Sequence, residues 1–186
     1  MYGKNVPEDF YEKIKLRLYR RIGRELGMAH RVLDMGCGNC NLVAFLRKAY
    51  RQRVTGVDVS GGSLPRHDHP LNSRVAMRCI KGNAADLGFL RDGSVDAVVT
   101  TWALHEMDDR PRALAEAHRV LRPGGKMLIV DFPKGSLAQR LWDEDYLTVP
   151  EARTLLTEAG FVRVQARPIH QEQVIWAKGS RPSVEG

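Results

Sequence analysis

The chain has 186 residues, of which 43% are hydrophobic and 27% are charged, as in an ordinary soluble globular protein, and this length predicts one domain with a sizeable core. Its formal net charge of +7 and pI of about 9.6 favour anionic partners without identifying one. No apolar run approaches the roughly 20 residues that span a bilayer, and the N-terminus has no apolar signal-peptide core, so we expect a cytoplasmic location and no membrane partner.

The first predicted element is an amphipathic helix that begins at Asn5 or Val6 and ends at Leu26. Apolar residues recur in it every four positions, and Pro7 lies near its start, where proline is tolerated. Its basic residues at helical spacing are Lys13, Arg17, Arg20 and Arg24. We interpret this stripe as a solvated helix face, with a docking site for an anionic substrate or nucleic acid as the alternative.

Strands and helices then alternate, which predicts an α/β fold with a doubly wound, mostly parallel sheet and helices on both faces. The strand candidates are residues 31–35, 53–58, 75–81, 95–101, 126–131, 161–167 and 173–178. The helix candidates are residues 40–50, 109–121 and 150–159. The short link between the last two strands predicts a terminal hairpin.

Local signals predict where two of these helices begin and end. Asp108 precedes a helix that opens through Pro111, and the Pro-Gly-Gly segment 123–125 is expected to end that helix. Thr148 and Glu151 have the spacing of a capping box.

Residues 59–74 interrupt this alternation. Two glycines and two prolines predict a loop there. His67, Asp68 and His69 have side chains that could bind a metal, but no third strong ligand lies nearby in the sequence. We therefore expect a solvated turn and no metal site.

Residues 31–40, with the sequence RVLDMGCGNC, predict a strand, a tight glycine turn and a helix start. Gly36 and Gly38 allow the backbone to approach a ligand closely, and the free N–H groups of a helix N-terminus suit a carboxylate or phosphate. A dinucleotide fingerprint needs a third glycine where Asn41 stands, and it lacks an acid such as Asp34 so close before the first glycine. A nicotinamide oxidoreductase is therefore only a minor alternative.

The odd number of cysteines, three, predicts no disulfide framework. Cys37 and Cys40 do form a C-x-x-C at the predicted helix start, where a thiolate is stabilised. A redox role is thus a second interpretation of this turn.

The string VLDMGCG resembles the first motif of the class I S-adenosylmethionine (SAM) methyltransferases, D-x-G-x-G-x-G, with Cys40 in place of the third glycine. Similar family strings follow in order: GVDVS, KGNAADLGF, SVDAVVTTWALH and RVLRPGGKMLIVD. The resemblance covers about residues 30–167 and is closest to the ubiquinone-biosynthesis-type, small-molecule branch (methyltransferase domain type 11). It implies a seven-stranded Rossmann-like sheet with an antiparallel last strand. It also implies methyl transfer from SAM by in-line displacement, with S-adenosylhomocysteine as the product.

The resemblance further implies a set of cofactor contacts. Asp58, at the end of the second strand, is expected to accept both ribose hydroxyls. Asn83 replaces an acid that accepts a hydrogen bond from the adenine amino group, and Ala84 would offer its N–H to the ring; Asp86 is the alternative to Asn83. The predicted contacts are Asp34, Gly36, Cys37, Gly38, Asp58, Val59, Asn83, Ala84, Thr100, Thr101 and Trp102.

The catalytic candidates follow the fourth strand, at the carboxyl edge of the sheet. His105 is the first candidate for a base that deprotonates the acceptor, and Glu106 is the second; a packing or capping role is the alternative for His105. Trp102 could cover the cofactor or a substrate ring, or pack in the core. Asp131 could face the acceptor, or cap a turn.

The domain organisation implied is one methyltransferase domain, residues 1–186, with a core over residues 30–178 and a tail over residues 179–186. Residues 1–29 form the N-terminal helix or lid, with the aromatic residues Tyr2, Phe10 and Tyr11.

The acceptor is expected to be a small molecule, with an anionic one as an option. The turn after the fourth strand, 100–103, is not the [N/D]-P-P-[Y/F] of enzymes that methylate nucleobase amino groups, and the chain has no Pro-Cys pair for a covalent pyrimidine mechanism. The insert from Phe132 to Leu147 is short, so it offers little cover unless another subunit or a macromolecule helps. The alternatives are a protein or RNA methyltransferase and a non-catalytic SAM-binding protein; the oligomeric state and the accepting atom stay open.

Overall fold

A computed structural model of the chain describes residues 6–60 and 77–183. In chain order the elements are α1 (Phe10–Leu26), β1 (Arg31–Met35), α2 (Asn41–Tyr50), β2 (Arg53–Asp58), β3 (Met77–Lys81), β4 (Val95–Thr101), α3 (Arg110–Val120), β5 (Leu121–Asp131), α4 (Leu137–Trp142), α5 (Val149–Glu158), β6 (Val162–Ile169) and β7 (Val174–Ser180). A short 3-10 helix, Leu104–Glu106, follows β4.

The strands form one seven-stranded sheet in the order β3-β2-β1-β4-β5-β7-β6. Neighbours from β3 to β5 are parallel, and β7 runs antiparallel to both β5 and β6. These findings confirm the predicted fold class. The order reverses between β1 and β4, and ligands of such folds bind in the crevice at that point, beyond the carboxyl ends of the strands.

The core lies on both faces of the sheet because the parallel strands are buried on both sides. Successive side chains of a strand point to opposite faces. In β1, Val32 packs in one cluster with Leu18 and Leu46, whereas Leu33 packs in the other with Leu114 and Leu156. Helices α1 and α2 therefore cover one face, and α3 and α5 cover the other.

Helix α1 begins later than predicted. It starts at Phe10, whose N–H donates to the carbonyl of Pro7 at 2.9 Å, so the chain turns before the helix starts. Asn5 lies outside the described residues, and Val6 precedes the helix. None of the described helices is both long and apolar enough to cross a membrane.

The ends of α3 also differ from the prediction. Asp109, not Asp108, caps the helix, since its Oδ1 accepts from the N–H of Arg112 at 2.9 Å. The helix ends before the segment 123–125 because Leu121 is already extended and starts β5.

The predicted capping box of α5 is confirmed, with reciprocal hydrogen bonds between Thr148 and Glu151. Strand β7 continues to Ser180, two residues past the predicted end of the strand. Helix α4 and the 3-10 helix were not predicted, because elements of six and three residues are too short to show a periodic pattern.

Of the loop predicted over residues 59–74, the structure describes only Val59 and Ser60. Besides Asn5, four residues singled out from the sequence lie outside the described residues: Tyr2, His67, Asp68 and His69.

Candidate active site

The glycine turn lies at the carboxyl end of β1, beside the point where the strand order reverses. The N–H groups of Gly36 and Cys37 donate to the carbonyl of Val57 at 2.8 and 3.1 Å. Gly36 has a φ of 73°, and a Cβ at this position would lie 2.3 Å from the Cβ of Ala103. Glycine is therefore required here both by the backbone conformation and by the close approach of the next loop.

Asp58 ends β2 and connects the glycine turn to the segment after β2. Its Oδ2 accepts from the N–H of Gly38 at 2.8 Å. Its Oδ1 accepts from the N–H and the hydroxyl of Ser60 at 2.8 and 2.5 Å. Because a charged acceptor strengthens these bonds, they fix the orientation of the carboxylate.

Asp34 is a buried acid, 1% exposed, whose Oδ1 has no hydrogen-bond partner among the described residues. Burial, together with the nearby negative charge of Asp58, raises the pKa of Asp34 to about 8. A cationic group of a ligand beside this carboxyl would lower the cost of its ionisation.

Two adjoining cavities lie at this edge of the sheet, and both are lined by Gly36, Asp58, Val59, Ala103 and Glu106. The larger, of about 340 Å³, is also lined by Asp34, Cys37, Gly38, Thr101 and Trp102. The smaller, of about 110 Å³, is also lined by Asn83 and Ala84. Thr100, in contrast, is fully buried within β4. The structure thus gathers every predicted cofactor contact except Thr100 around these two cavities.

Asn83 lies in the wall of the smaller cavity, and its side-chain oxygen already accepts one hydrogen bond. Its Oδ1 accepts from the N–H of Ala85 at 2.9 Å, which makes a local turn. Asp86, the alternative residue, is exposed, and its Oδ1 accepts from Gly88 at 3.4 Å.

His105 lies in the 3-10 helix and is 7% exposed. Its Nδ1 lies 2.7 Å from Oδ1 of Asp131, and its backbone N–H donates to Oδ2 of the same carboxylate at 3.0 Å. Its Nε2 faces two further acids, Oε2 of Glu144 at 3.0 Å and Oε1 of Glu106 at 3.8 Å. The two ring nitrogens therefore differ: Nδ1 contacts a buried carboxylate, and Nε2 faces two exposed carboxylates.

The electrostatics favour the protonated ring. Burial lowers the pKa of His105, but the hydrogen bond to Asp131 and the charges of the surrounding acids outweigh burial, so the pKa is raised above its usual value. Burial raises the pKa of Glu106, although the charge of His105 opposes this. Asp131 is fully buried behind His105, rather than facing the acceptor as the sequence analysis considered.

Aromatic side chains form a wall beside His105. The rings of Trp102 and Phe132 stack with their centroids 5.3 Å apart, and the ring of Tyr146 lies 4.7 Å from that of His105. Trp142 stacks on Tyr11 of α1 at 5.9 Å. Among the described residues, Nε1 of Trp102 and the hydroxyl of Tyr146 are buried without a hydrogen-bond partner.

The sequence profile of a family described as "Methyltransferase domain" matches residues 33–129, which is more than half of the chain. The chain belongs to this family. The match covers the glycine turn, the 3-10 helix and the cavity walls apart from Lys15 and Tyr19, and it confirms the family resemblance found in the sequence.

Named relatives and a solved structure agree with this assignment. The chain is 35% identical to an O-methyltransferase of Aspergillus nomiae over 67% of this chain and 57% of that protein. It is 31% identical to a 2-phytyl-1,4-naphtoquinone methyltransferase of Nostoc sp. over 76% of this chain and 67% of that protein. The 1,6-didemethyltoxoflavin-N1-methyltransferase of Burkholderia thailandensis, solved with S-adenosylhomocysteine bound, has the same fold with a TM-score of 0.66, at 21% identity over 94% and 84% of the two chains.

The chain spans between 50% and 67% of the length of four curated methyltransferases that it matches. The relatives therefore establish the methyltransferase domain, whereas the acceptor depends on the residues of this chain's own site.

Three side chains of this candidate site were not predicted from the sequence: Glu144, Tyr146 and Trp142. All three come from the insert between β5 and α5, which we expected to give little cover. The signal available was the density of acidic and aromatic residues near its end, but no pattern in it places these side chains against His105.

The cysteines also depart from the prediction. The structure joins Cys40 to Cys79 by a disulfide, whereas the odd number of cysteines predicted no disulfide framework. Cys37, the partner suggested by the C-x-x-C spacing, lies with its Sγ 3.5 Å from that of Cys40 and is free. Cys79 could not be connected to this motif from the sequence because its position beside Cys40 depends on the pairing of β3 with β2.

Proposed function

We propose that the protein transfers the methyl group of SAM to a small-molecule acceptor. The observation that carries the proposal is that the cavities around Asp58 and the buried pair His105 and Asp131 lie at the same edge of the sheet. The names of the relatives, an O-methyltransferase and a naphthoquinone methyltransferase, support a small organic acceptor.

The residues of the larger cavity fit SAM. This molecule, when bound, supplies a methyl group on a positively charged sulfur. The buried carboxyl of Asp34, whose Oδ1 has no hydrogen-bond partner among the described residues, suits such a cationic ligand. The carboxylate of Asp58 is oriented to accept ribose hydroxyls. The smaller cavity, with Asn83 and Ala84, would hold the adenine ring. The work of these residues is to bind and align the donor.

The acceptor side of the site offers a base. In neutral His105, a proton on Nδ1 is held by Asp131, which leaves Nε2 free to take a proton from an acceptor oxygen or nitrogen. Glu144 occupies this position in the structure and has to give way to the acceptor. Glu106 remains the second candidate for the base.

The cover over the acceptor comes from α1 and from the insert after β5. The hydroxyl of Tyr11 accepts from the N–H of Ala138 in α4 at 3.0 Å, and its ring packs on Phe132 at 4.6 Å. We therefore propose that residues 1–29 act as a lid for the core over residues 30–178. The aromatic wall favours a planar or apolar acceptor, and an anionic acceptor stays a prediction.

The test is calorimetric titration with S-adenosylhomocysteine, followed by a methyl-transfer assay with panels of phenols, hydroxyquinones and amines. The wild-type protein is expected to bind in the micromolar range, and Asp58→Ala is expected to abolish the binding. Asp86→Ala is the control, because Asp86 is an exposed acid after β3 that lines neither cavity. Turnover with a small acceptor supports the proposal. Binding without turnover on any panel would favour a non-catalytic SAM-binding protein, and turnover on protein or RNA alone would favour a macromolecular acceptor.

A further inference from the structure

The three cysteines of the chain meet at one point beneath the cofactor cavity. Cys37 comes from the glycine turn, Cys40 precedes α2 and Cys79 lies in β3, and all three are buried. Their sulfur atoms lie within 4.8 Å of one another. Three separate elements therefore contribute one thiol each to a common cluster.

The backbone at Cys40 shows that this side chain is kept at a conformational cost. Cys40 has a φ of 58°, in the left-handed region that glycine adopts freely and other residues do not. The motif of the family has glycine at this position. The contacts of the Cys40 sulfur atom with Cys79 and Cys37 offset this conformational cost.

Gly56 in β2 provides the space that the cluster fills. Gly56 pairs directly with Cys79 in the sheet. A Cβ at Gly56 would lie 2.7 Å from Sγ of Cys37, so only glycine leaves room for this sulfur. The cluster is thus accommodated by the sheet as well as by the turn.

We propose that Cys37, Cys40 and Cys79 form a reversible oxidation site that sets the affinity of the protein for its cofactor. This inference rests on the proposed function, since it concerns the same cofactor cavity. The oxidant is a low-molecular-weight disulfide of the glutathione class. The thiols of Cys40 and Cys79 lose two electrons and two protons and form one S–S bond, while the oxidant is cleaved to two thiols that carry these protons.

Cys37 gives the reagent a route to the buried pair. It lines the larger cavity, whereas Cys40 and Cys79 do not, so a disulfide that enters the cavity reaches Cys37 before the other two cysteines. Exchange at Cys37 forms a mixed disulfide, and attack by Cys40, 3.5 Å away, releases the second small thiol. Attack by Cys79 on Cys40 then leaves the bridge in place and restores the Cys37 thiol. Burial and the charges of Asp34 and Asp58 raise the pKa of Cys37, so this exchange is slow at neutral pH and faster at higher pH.

The bridge connects the two sides of the cofactor cavity. Cys40 follows the turn whose Gly38 donates to Asp58, and Cys79 belongs to the strand that leads to Asn83. Oxidation therefore holds the two walls in one arrangement, and reduction lets the strained turn at Cys40 relax. Because a pre-ordered site loses less entropy on binding, we expect about fivefold weaker cofactor binding after reduction.

The experiment compares the protein oxidised with oxidised glutathione and the protein reduced with a dithiol, both in the presence of a metal chelator. Free thiols are counted by alkylation and mass spectrometry, and S-adenosylhomocysteine affinity is measured by calorimetry. One free thiol in the oxidised protein, three in the reduced protein and a roughly fivefold difference in Kd support the proposal. Three free thiols after oxidation, or affinities equal within about twofold, overturn it.

Three variants make the result specific. Cys79→Ser is expected to remove the redox dependence of the affinity for S-adenosylhomocysteine. Cys40→Gly is expected to do the same, and it should fold readily because glycine restores the family motif and adopts a positive φ without strain. Cys37→Ser is expected to form the bridge more slowly but to keep the difference in affinity. Absence of binding in both redox states would count against the proposed cofactor site itself, and the thiol count would still decide whether the bridge forms.

Discussion

The carboxylate of Asp131 contacts His105 twice, through Nδ1 at 2.7 Å and through the backbone N–H at 3.0 Å. The same carboxylate also accepts from the N–H of Phe132 at 2.8 Å. A group held by three donors cannot turn, so it fixes both the position of the imidazole and the nitrogen that carries its proton. This arrangement directs Nε2 toward Glu144 and Glu106, on the side of the ring where the proposed acceptor would lie.

Asp131→Asn tests this orientation. The change is expected to lower kcat by roughly 10- to 100-fold, because an amide no longer fixes the imidazole as the carboxylate does, with little effect on the KM for SAM. Since the carboxylate raises the pKa of His105, its loss is also expected to move the acidic limb of the pH–rate profile to lower pH. His105→Gln is the matched control, and it should remove the acidic limb because glutamine does not titrate. If the folded Asp131→Asn protein had the wild-type kcat and the same acidic limb of the pH–rate profile, Asp131 would contribute to packing alone.

Glu144→Gln tests the carboxylate on the other side of the ring. Glu144 raises the pKa of His105 by its charge, so its neutralisation is expected to shift the acidic limb downward and to increase the rate below pH 7 by roughly two- to threefold. Asp145→Asn is the control, because Asp145 is also acidic and exposed but pairs with Arg110. The role given to Glu144 would be wrong if both variants had the same pH profile as the wild type.

The cofactor side of the site could be predicted because its residues lie in short local patterns. Ten residues contain the end of a strand, a turn with Gly36 and Gly38, and the start of a helix, so each element helps to predict the next. Asp58 follows at the end of the next parallel strand. Parallel neighbours end at the same edge of a sheet, so the pattern alone brings these residues together.

The acceptor side could not be predicted in the same way. The contact between His105 and Asp131 depends on how β4 and β5 are registered, and the contact with Glu144 depends on how the insert folds back over the sheet. Neither relationship leaves a periodic signal in the sequence. The sulfur cluster has the same origin, since Cys79 reaches Cys40 only through the pairing of β3 with β2.

Asp34→Asn is expected to stabilise the free protein while weakening cofactor binding. The pKa of Asp34 is about 8 when folded against 3.8 as the ordinary value. Between these values the folded protein binds more protons than the unfolded chain, so this group makes stability fall as pH rises from about 4 to about 8. The variant should therefore gain ~2 kcal/mol at pH 7 and nothing at pH 4, as measured by urea unfolding.

Asp96→Asn is the control with the opposite sign. Burial raises the pKa of Asp96, but hydrogen bonds from Arg31 and Arg122 outweigh burial and leave it lowered. Its contribution to stability is present above the ordinary pKa and is lost as pH falls through the folded value, so this variant should lose ~1 kcal/mol at pH 7. If Asp34→Asn also lost stability at pH 7, its carboxylate would have a partner that stabilises its charge in the free protein.

The two glycines of the turn form a matched pair of positions, one crowded and one open. Gly36 and Gly38 both have positive φ, 73° and 47°, so alanine is strained at either position. A Cβ at Gly36 would lie 2.3 Å from the Cβ of Ala103, whereas a Cβ at Gly38 would meet nothing within 4 Å. Gly36→Ala should therefore cost about 1–3 kcal/mol more in unfolding free energy than Gly38→Ala, because the clash adds to the same backbone strain. Equal losses in the two variants would show that the loop with Ala103 moves freely, and Gly36→Ala combined with Ala103→Gly should recover the difference if the clash is its cause.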